Sequence, residues 1–329
     1  MAPFFRRNAG PHGSGRRVWI YVTVLAFVVV DIALVVWAVS DRTPPTAVGP
    51  VSSSVEPTVT PTAFPTLSVS PEPVESPVSS VTTAVPPTRI LTALNDLVAW
   101  RAATGPCPDT SASPEYTLDG GLTWTPTDAT GPTDVTSLQS ITVEDDGIAS
   151  MVGLSGEGCN PEFIKTFIAG GNYRAYPDQL DDEWFVDPTD STELHTPQGD
   201  ASVPCTQAVV VAPQNSSDAA ILCSDQSVYT TQDSGETWSS SIIFAGAVNL
   251  SVMADGYHVA ILENAECAGV QLATLSLENS ISSTSHCLVT DTSSSAGGGI
   301  GLSEADGALW VWVGDTIKKS LDGGATWEP

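Results

Sequence analysis

The hydrophobic rhythm of the chain changes twice. From Val18 to Val39 it is apolar almost without a break, "VWIYVTVLAFVVVDIALVVWAV". These 22 residues, at about 1.5 Å rise per residue, match the ~30 Å hydrocarbon core of a bilayer as one helix. From Thr43 to about Thr88 the period vanishes into Pro, Ser, Thr and Val, a composition that favours extended, solvated, polyproline-like chain. Beyond Arg89, short runs of Val, Ile, Thr and aromatics alternate with Gly, Asp, Asn and Ser, the pattern of brief strands and tight turns. The expected organisation is a basic tail (1–17), a transmembrane signal-anchor (18–40), a stalk (41–88) and a β-domain (89–329).

Arg6, Arg7, Arg16 and Arg17 precede the apolar run, while Arg42 alone follows closely, which orients the N-terminus to the cytoplasm. A cleaved signal peptide is the competing reading, with Ala38-Val39-Ser40 at a plausible cleavage spacing; signal cores of about 7–15 residues are shorter than this run. Asp31 lies mid-span, where a charge is costly. It either meets a polar group on a partner helix or is protonated and tolerated. The segment 41–88 holds the β-domain away from the membrane, and its Ser and Thr are open to glycosylation.

The β-domain divides into five rounds of four short strands, starting near Ile90, Leu138, Gln207, Val248 and Gly299. The spacings are 48, 69, 41 and 51 residues, three of them in the range of roughly 40–50 typical of propeller blades. The long one contains an insertion, Pro177 to Pro204. A four-stranded antiparallel unit cannot bury both faces alone, whereas radial stacking buries them against neighbours. The expected fold is an all-β, five-bladed β-propeller, closed with help from residues just before Ile90.

Three of the rounds share one turn, [S/T]-x-D-x-G-x-T-W: Thr117, Asp119, Gly121, Thr123 and Trp124; Thr231, Asp233, Gly235, Thr237 and Trp238; Ser320, Asp322, Gly324, Thr326 and Trp327. Each falls between third and fourth strands. The Asp carboxylate suits the N–H groups of its own turn, the Gly takes positive φ, the Thr opens the returning strand and the Trp buries a broad face. This pattern resembles the Asp-box, or BNR/sialidase-type repeat, of β-propellers. The second round keeps Gly171 but has Ala169 and Tyr173 where the box has Asp and Trp, and the fourth round lacks it. The resemblance implies a propeller and places the box on the blade periphery, away from any central site. Sialidases also carry an arginine triad; Arg89, Arg101 and Arg174 do not occupy equivalent inner-strand positions, so that activity is not expected.

The portion after Ser40 holds seven of the eleven cations and 37 of the 38 acids, leaving a formal net charge of −30. Phosphate binding needs cationic groups, so nucleic acid is excluded as a partner, while basic proteins and cations remain open. All six cysteines lie beyond the apolar run, as three disulfides would in an oxidising compartment. The strand alignment predicts Cys107–Cys159 across adjacent blades, and Cys205–Cys223 and Cys267–Cys287 within blades. There is no CxxC pair or zinc-spaced His/Cys cluster, so neither metal nor cofactor is expected.

Acidic clusters such as Glu144-Asp145-Asp146 fit solvated hairpin turns, and His195, His258 and His286 are isolated in sequence. The insertion combines acids with aromatics, so Asp181, Asp182, Trp184 and Phe185 are candidate binding residues for a cationic or sugar-like surface. Alternatively, "EWFVD" is simply an outer strand of the second blade. The function expected is a non-catalytic binding or scaffold module for a protein or cell-envelope component. The alternative is a glycosidase using two carboxylates at the propeller mouth.

Overall fold

The computed structural model describes residues 83–262, 266–276, 281–291 and 298–328. The basic tail, the apolar run with Asp31 and the stalk up to residue 82 lie outside them. The described residues form an all-β propeller of six antiparallel sheets. Blade A holds β1 (Arg89–Ala93), β2 (Ala99–Ala103), β3 (Glu115–Thr117) and β4 (Thr125–Pro126). Blade B holds β5 (Val135–Asp145), β6 (Ile148–Ser155), β7 (Asn160–Thr166) and β8 (Tyr173–Ala175). Blade C has β9 (Phe185–Val186), β10 (Glu193–Thr196) and β11 (Gly199–Ser202). Blade D follows with β12 (Ala208–Pro213), β13 (Ala219–Cys223), β14 (Ser227–Thr231) and β15 (Ile242–Ile243). Blade E holds β16 (Ala247–Met253), β17 (Gly256–Ile261), β18 (Gly269–Ser276) and β19 (Ile281–Val289). Blade F has β20 (Ile300–Ala305), β21 (Ala308–Val313) and β22 (Thr316–Ser320), to which Glu328 adds a single bridge at Lys319.

The expectation of five blades is therefore corrected to six: the insertion at Pro177–Pro204 is a blade in its own right. Its strands of two and four residues are too short to show an alternating pattern. A second correction concerns blade D, whose fourth strand is Ile242–Ile243 and not the "ETWSS" that carries the turn.

The core explains the ring. It consists of apolar seams between successive blades, since each sheet must cover both faces. Trp100 of blade A packs with Val135 and Ile164 of blade B, Val152 and Phe163 of blade B with Phe185 of blade C, and Leu194 of blade C with Ala219 of blade D. Leu222 and Val228 meet Tyr257 and Val259 across the D–E seam, and Val270 and Leu272 meet Leu309 and Val311 across E–F. The ring closes where Leu91 and Ala99 meet Trp310 and Trp312. Middle strands β13, β17 and β21 are buried at every position because both faces are covered; β13 and β21 read as continuous apolar runs, and β17 as one interrupted by His258.

Most first strands run from an upper end of the ring to a lower end, where the first hairpins turn. Blade C begins instead with a rising strand, and its β10 descends to Thr196 beside Gly235 of the blade D turn, as β14 descends to Thr231. Just ahead of β9, Trp184 donates from Nε1 to Asn215 O (3.1 Å) in the first hairpin of blade D, at the lower end. Just past β9, Ser191 O accepts from Ala208 N (2.8 Å), where β12 begins at the upper end. The 3₁₀ turn Pro177–Asp182 precedes this rising strand.

All three disulfides staple the upper end. Cys107–Cys159 joins the β2–β3 and β6–β7 loops of adjacent blades, Cys205–Cys223 ties the chain ahead of β12 to the end of β13, and Cys267–Cys287 closes the top of blade E. Residues before β1 cross the same end: Ala84 N donates to Ser224 O (3.0 Å) of blade D and Thr88 N to Gly298 O (2.8 Å) beside blade F.

Candidate functional site

The three recurring turns are built alike. In blade A, Thr117 Oγ1 donates to Asp119 Oδ1 (2.8 Å) and accepts from Gly121 N (3.0 Å). The same Oδ1 accepts from Thr123 N (2.9 Å), and Oδ2 accepts from Thr123 Oγ1 (2.6 Å). Thr231, Asp233, Gly235 and Thr237 repeat this network at 2.8, 2.9, 2.9 and 2.6 Å, as do Ser320, Asp322, Gly324 and Thr326 at 2.8, 2.8, 2.8 and 2.7 Å. The second Thr thus closes the turn on the carboxylate; the strand returns only after Trp124 or, in blade D, at Ile242. These donors favour the ionised carboxylate, holding Asp119 and Asp322 at about 2 and pulling Asp233 down as well.

Each turn also clasps the preceding blade. Gly121 has φ +89°, and a Cβ there would lie 3.1 Å from the Trp310 ring of blade F. At Gly235 the obstacle is Ala201 of blade C at 3.0 Å, and at Gly324 it is His286 of blade E at 3.0 Å. Trp124 and Trp327 pack against the closing and E–F seams, and Trp238 Nε1 donates to Ser202 O (3.3 Å) of blade C. The Asp, Ser and Thr side chains of these turns are hydrogen-bonded to one another and to turn N–H groups, while Trp327 Nε1 is buried without a partner.

The candidate binding residues of the insertion are divided by the fold. Trp184 and Phe185 are buried, Trp184 against Leu194 and Ala219, and Phe185 stacked on His195 with ring centroids 4.6 Å apart. Asp181 and Asp182 end the exposed 3₁₀ turn, so acids and aromatics do not share a surface. Arg89 and Arg101 converge instead, lying 4.2 and 5.0 Å from the centre of the Trp312 ring, with Arg101 paired to Glu115. They serve the closing seam.

Towards the axis, inner strands have one edge without a sheet partner, and neighbouring blades supply bonds to it. Thr92 Oγ1 donates to Ile141 O (2.7 Å) of blade B, and Gln139 Nε2 to Val186 O (3.4 Å) of blade C. Further round, Asn249 Nδ2 donates to Ile300 O (2.6 Å), and Ser303 Oγ accepts from Ala93 N (2.9 Å) across the closing seam. Glu304 of β20 is engaged by His258 Nε2 of β17. That pair was not legible in sequence, because its members are 46 residues apart and meet only across a blade seam. Glu183, ahead of β9, closes the acidic run Asp181-Asp182-Glu183, and the sequence does not distinguish it from its neighbours; burial raises its carboxyl, reinforced by the nearby charges of Asp182 and Glu144.

No protein-family profile matches the chain, and no curated protein matches it. Among solved structures, YCF48 bound to D1 peptide is similar at 18% identity over 76% of this chain and 69% of that one, with a TM-score of 0.28. A putative glycoside hydrolase from Parabacteroides distasonis is 9% identical over 75% of this chain and 95% of that one, with a TM-score of 0.37. The GH74 xyloglucanase from Xanthomonas campestris is 12% identical over 73% of this chain but 38% of its own, with a TM-score of 0.29. No activity or ligand is carried over from any of them.

Proposed function

We propose that the chain is a binding or scaffold module that displays its propeller outside the cytoplasm, for a protein or cell-envelope component. In this reading the span 18–40 anchors it, the segment 41–88 is its stalk, and the three turns are Asp-boxes. The hydrogen-bonded collar of Thr92, Gln139, Asn249 and Ser303 carries the reading. These four inner-strand side chains bond to neighbouring blades, which favours a stiff ring suited to display and docking. Three disulfides fit the proposed oxidising compartment, and the arginines before Val18 fit the orientation.

A glycosidase is the second reading, and Glu183 is the observation in its favour, since a carboxyl raised by burial suits a general acid. The test is to incubate the purified full chain with cell-envelope polysaccharides and assay reducing ends, alongside photo-crosslinking of the anchored chain in intact cells. Binding-module function predicts discrete crosslinked partners and no new reducing ends. Hydrolysis that Glu183→Gln abolishes would overturn it in favour of the enzyme.

A further inference from the structure

Nine large apolar side chains are exposed among the described residues, and six of them stand on lower-end turns of three consecutive blades, F, A and B. Blade A contributes Leu97 from its first hairpin and Leu118 and Leu122 from its recurring turn; blade F contributes Leu321, and blade B Phe167 and Ile168. Single exposed leucines need no explanation, but a contiguous group does. These turns touch. Gly120 N donates to Leu97 O (2.9 Å), and Lys319 Nζ, next to the blade F turn, donates to Asp96 O (2.8 Å). A Cβ on Gly120 would lie 3.0 Å from Lys319 Nζ and 3.8 Å from the Leu97 side chain, and one on Gly170 of blade B would strike Thr127 of blade A.

The turn scaffold does not require these leucines. Where blade A has Leu118 and Leu122, the same turn in blade D has exposed Gln232 and Glu236, with its hydrogen bonds unchanged. The free positions of one shared turn are thus apolar on blade A and polar on blade D. Around the leucines stand the exposed carboxylates of Asp96, Asp306 and Asp322. Two of the nearby cations are engaged, Lys319 by Asp96 O and the Trp310 ring and Lys165 by Glu144, while Arg174 of β8 stands exposed at the blade B end of this face. The chain beyond the apolar run has a net charge of −30, which disfavours a second copy as the occupant.

We propose that this lower face across blades F, A and B docks a basic amphipathic segment of a partner protein, its apolar side on the leucines and its Lys or Arg on the carboxylate rim. The inference rests on the binding-module reading and names the surface and the partner's chemistry. The probe is a synthetic amphipathic Leu/Lys peptide titrated against the full chain, with a Leu/Glu peptide as control. The Leu/Lys peptide is expected to bind and the Leu/Glu peptide not. Leu97→Ser with Leu122→Ser should weaken binding by about tenfold or more, whereas Gln232→Ala with Glu236→Ala on blade D should leave it unchanged. Leu122→Met should retain it, which separates lost apolar contact from a disturbed turn.

Absence of binding, binding indifferent to the blade A changes, or equal sensitivity to the blade D changes would overturn the proposal. Leucine-dependent self-association of the chain, or leucine-dependent capture by anionic vesicles without peptide binding, would overturn it too, by assigning the face to another occupant. Crosslinked partners that survive Leu97→Ser and Leu122→Ser would refute this surface while leaving the binding-module reading intact. Glycan hydrolysis would refute that reading alone.

Discussion

Blades C and D are neighbours in the ring and do the same mechanical job by different means. Blade D has a continuous apolar middle strand, Ala219–Cys223, buried throughout, and a complete turn in which Asp233 gathers the donors of Thr237 and Thr231. Blade C has strands of two and four residues, begins with a rising strand and has no aspartate in its last turn. Yet Thr196 is buried there as Thr231 is in blade D, its Oγ1 accepting from Gln198 N (3.2 Å) and donating to Gly199 O (2.7 Å). Thr166 in blade B keeps the same feature, accepting from Gly170 N at 3.1 Å. The buried hydroxyl at the end of the penultimate strand is the shared device. The carboxylate is an addition.

If blade C is a true wedge of the ring, emptying its core should hurt most. Trp184→Ala removes contacts with Leu194 and Ala219 and the bond to Asn215 O, and is expected to cost about 3–5 kcal/mol in denaturant unfolding. A loss below about 1 kcal/mol would mean that blade C merely leans on a ring closed without it. On the blade D side, Gly235→Ala faces both a φ of +86° and the Ala201 methyl, and should cost about 1–3 kcal/mol. Adding Ala201→Gly should relieve the steric part and leave the backbone part. No recovery in the double variant would show that the clasp between C and D is not tight at this point.

The sequence patterns reveal these blades unequally, for the same physical reasons. Blade D is legible because long strands buried on both faces leave unbroken apolar runs, and because Asp233, Gly235 and Trp238 mark the turn. Blade C hides because Phe185–Val186 is too short to show a period and because Thr196 works without an aspartate four positions ahead of a Thr-Trp pair. Trp184 and Phe185 stand out in sequence as large aromatics among acids, a pattern that suits a ligand surface equally well; only tertiary packing turns them inward. The disulfide pairs are visible because cysteines cluster where loops of neighbouring strands share an end. The His258–Glu304 pair and the leucine face depend on which blades touch, and strand periodicity does not encode that.

Smaller effects separate hydroxyl from carboxylate. Thr196→Val and Thr231→Val each remove a buried hydroxyl with backbone partners and should cost about 1–2 kcal/mol, nearly equal in the two blades. A cost confined to Thr231 would break the equivalence and make the aspartate the essential element.

The smallest effect is the pH dependence, which belongs to the carboxylate alone. Asp119 and Asp322 have folded values of about 2 against an ordinary 3.8, so as pH falls the unfolded chain takes up these protons first. The stabilisation is therefore complete above about pH 4 and is lost as pH falls through about 2. Protection factors of the Thr123 and Thr326 amides, which donate to those carboxylates, should drop across that window, while the Gln198 amide of blade C, bonded to a hydroxyl, should not respond locally. Asp119→Asn should abolish the pH response at Thr123 and leave that at Thr326, because the two turns are separate networks. A Gln198 amide that loses protection in step with the other two would show that acid opens the ring as a whole, and that the carboxylate turns and the hydroxyl turn are not independent clasps.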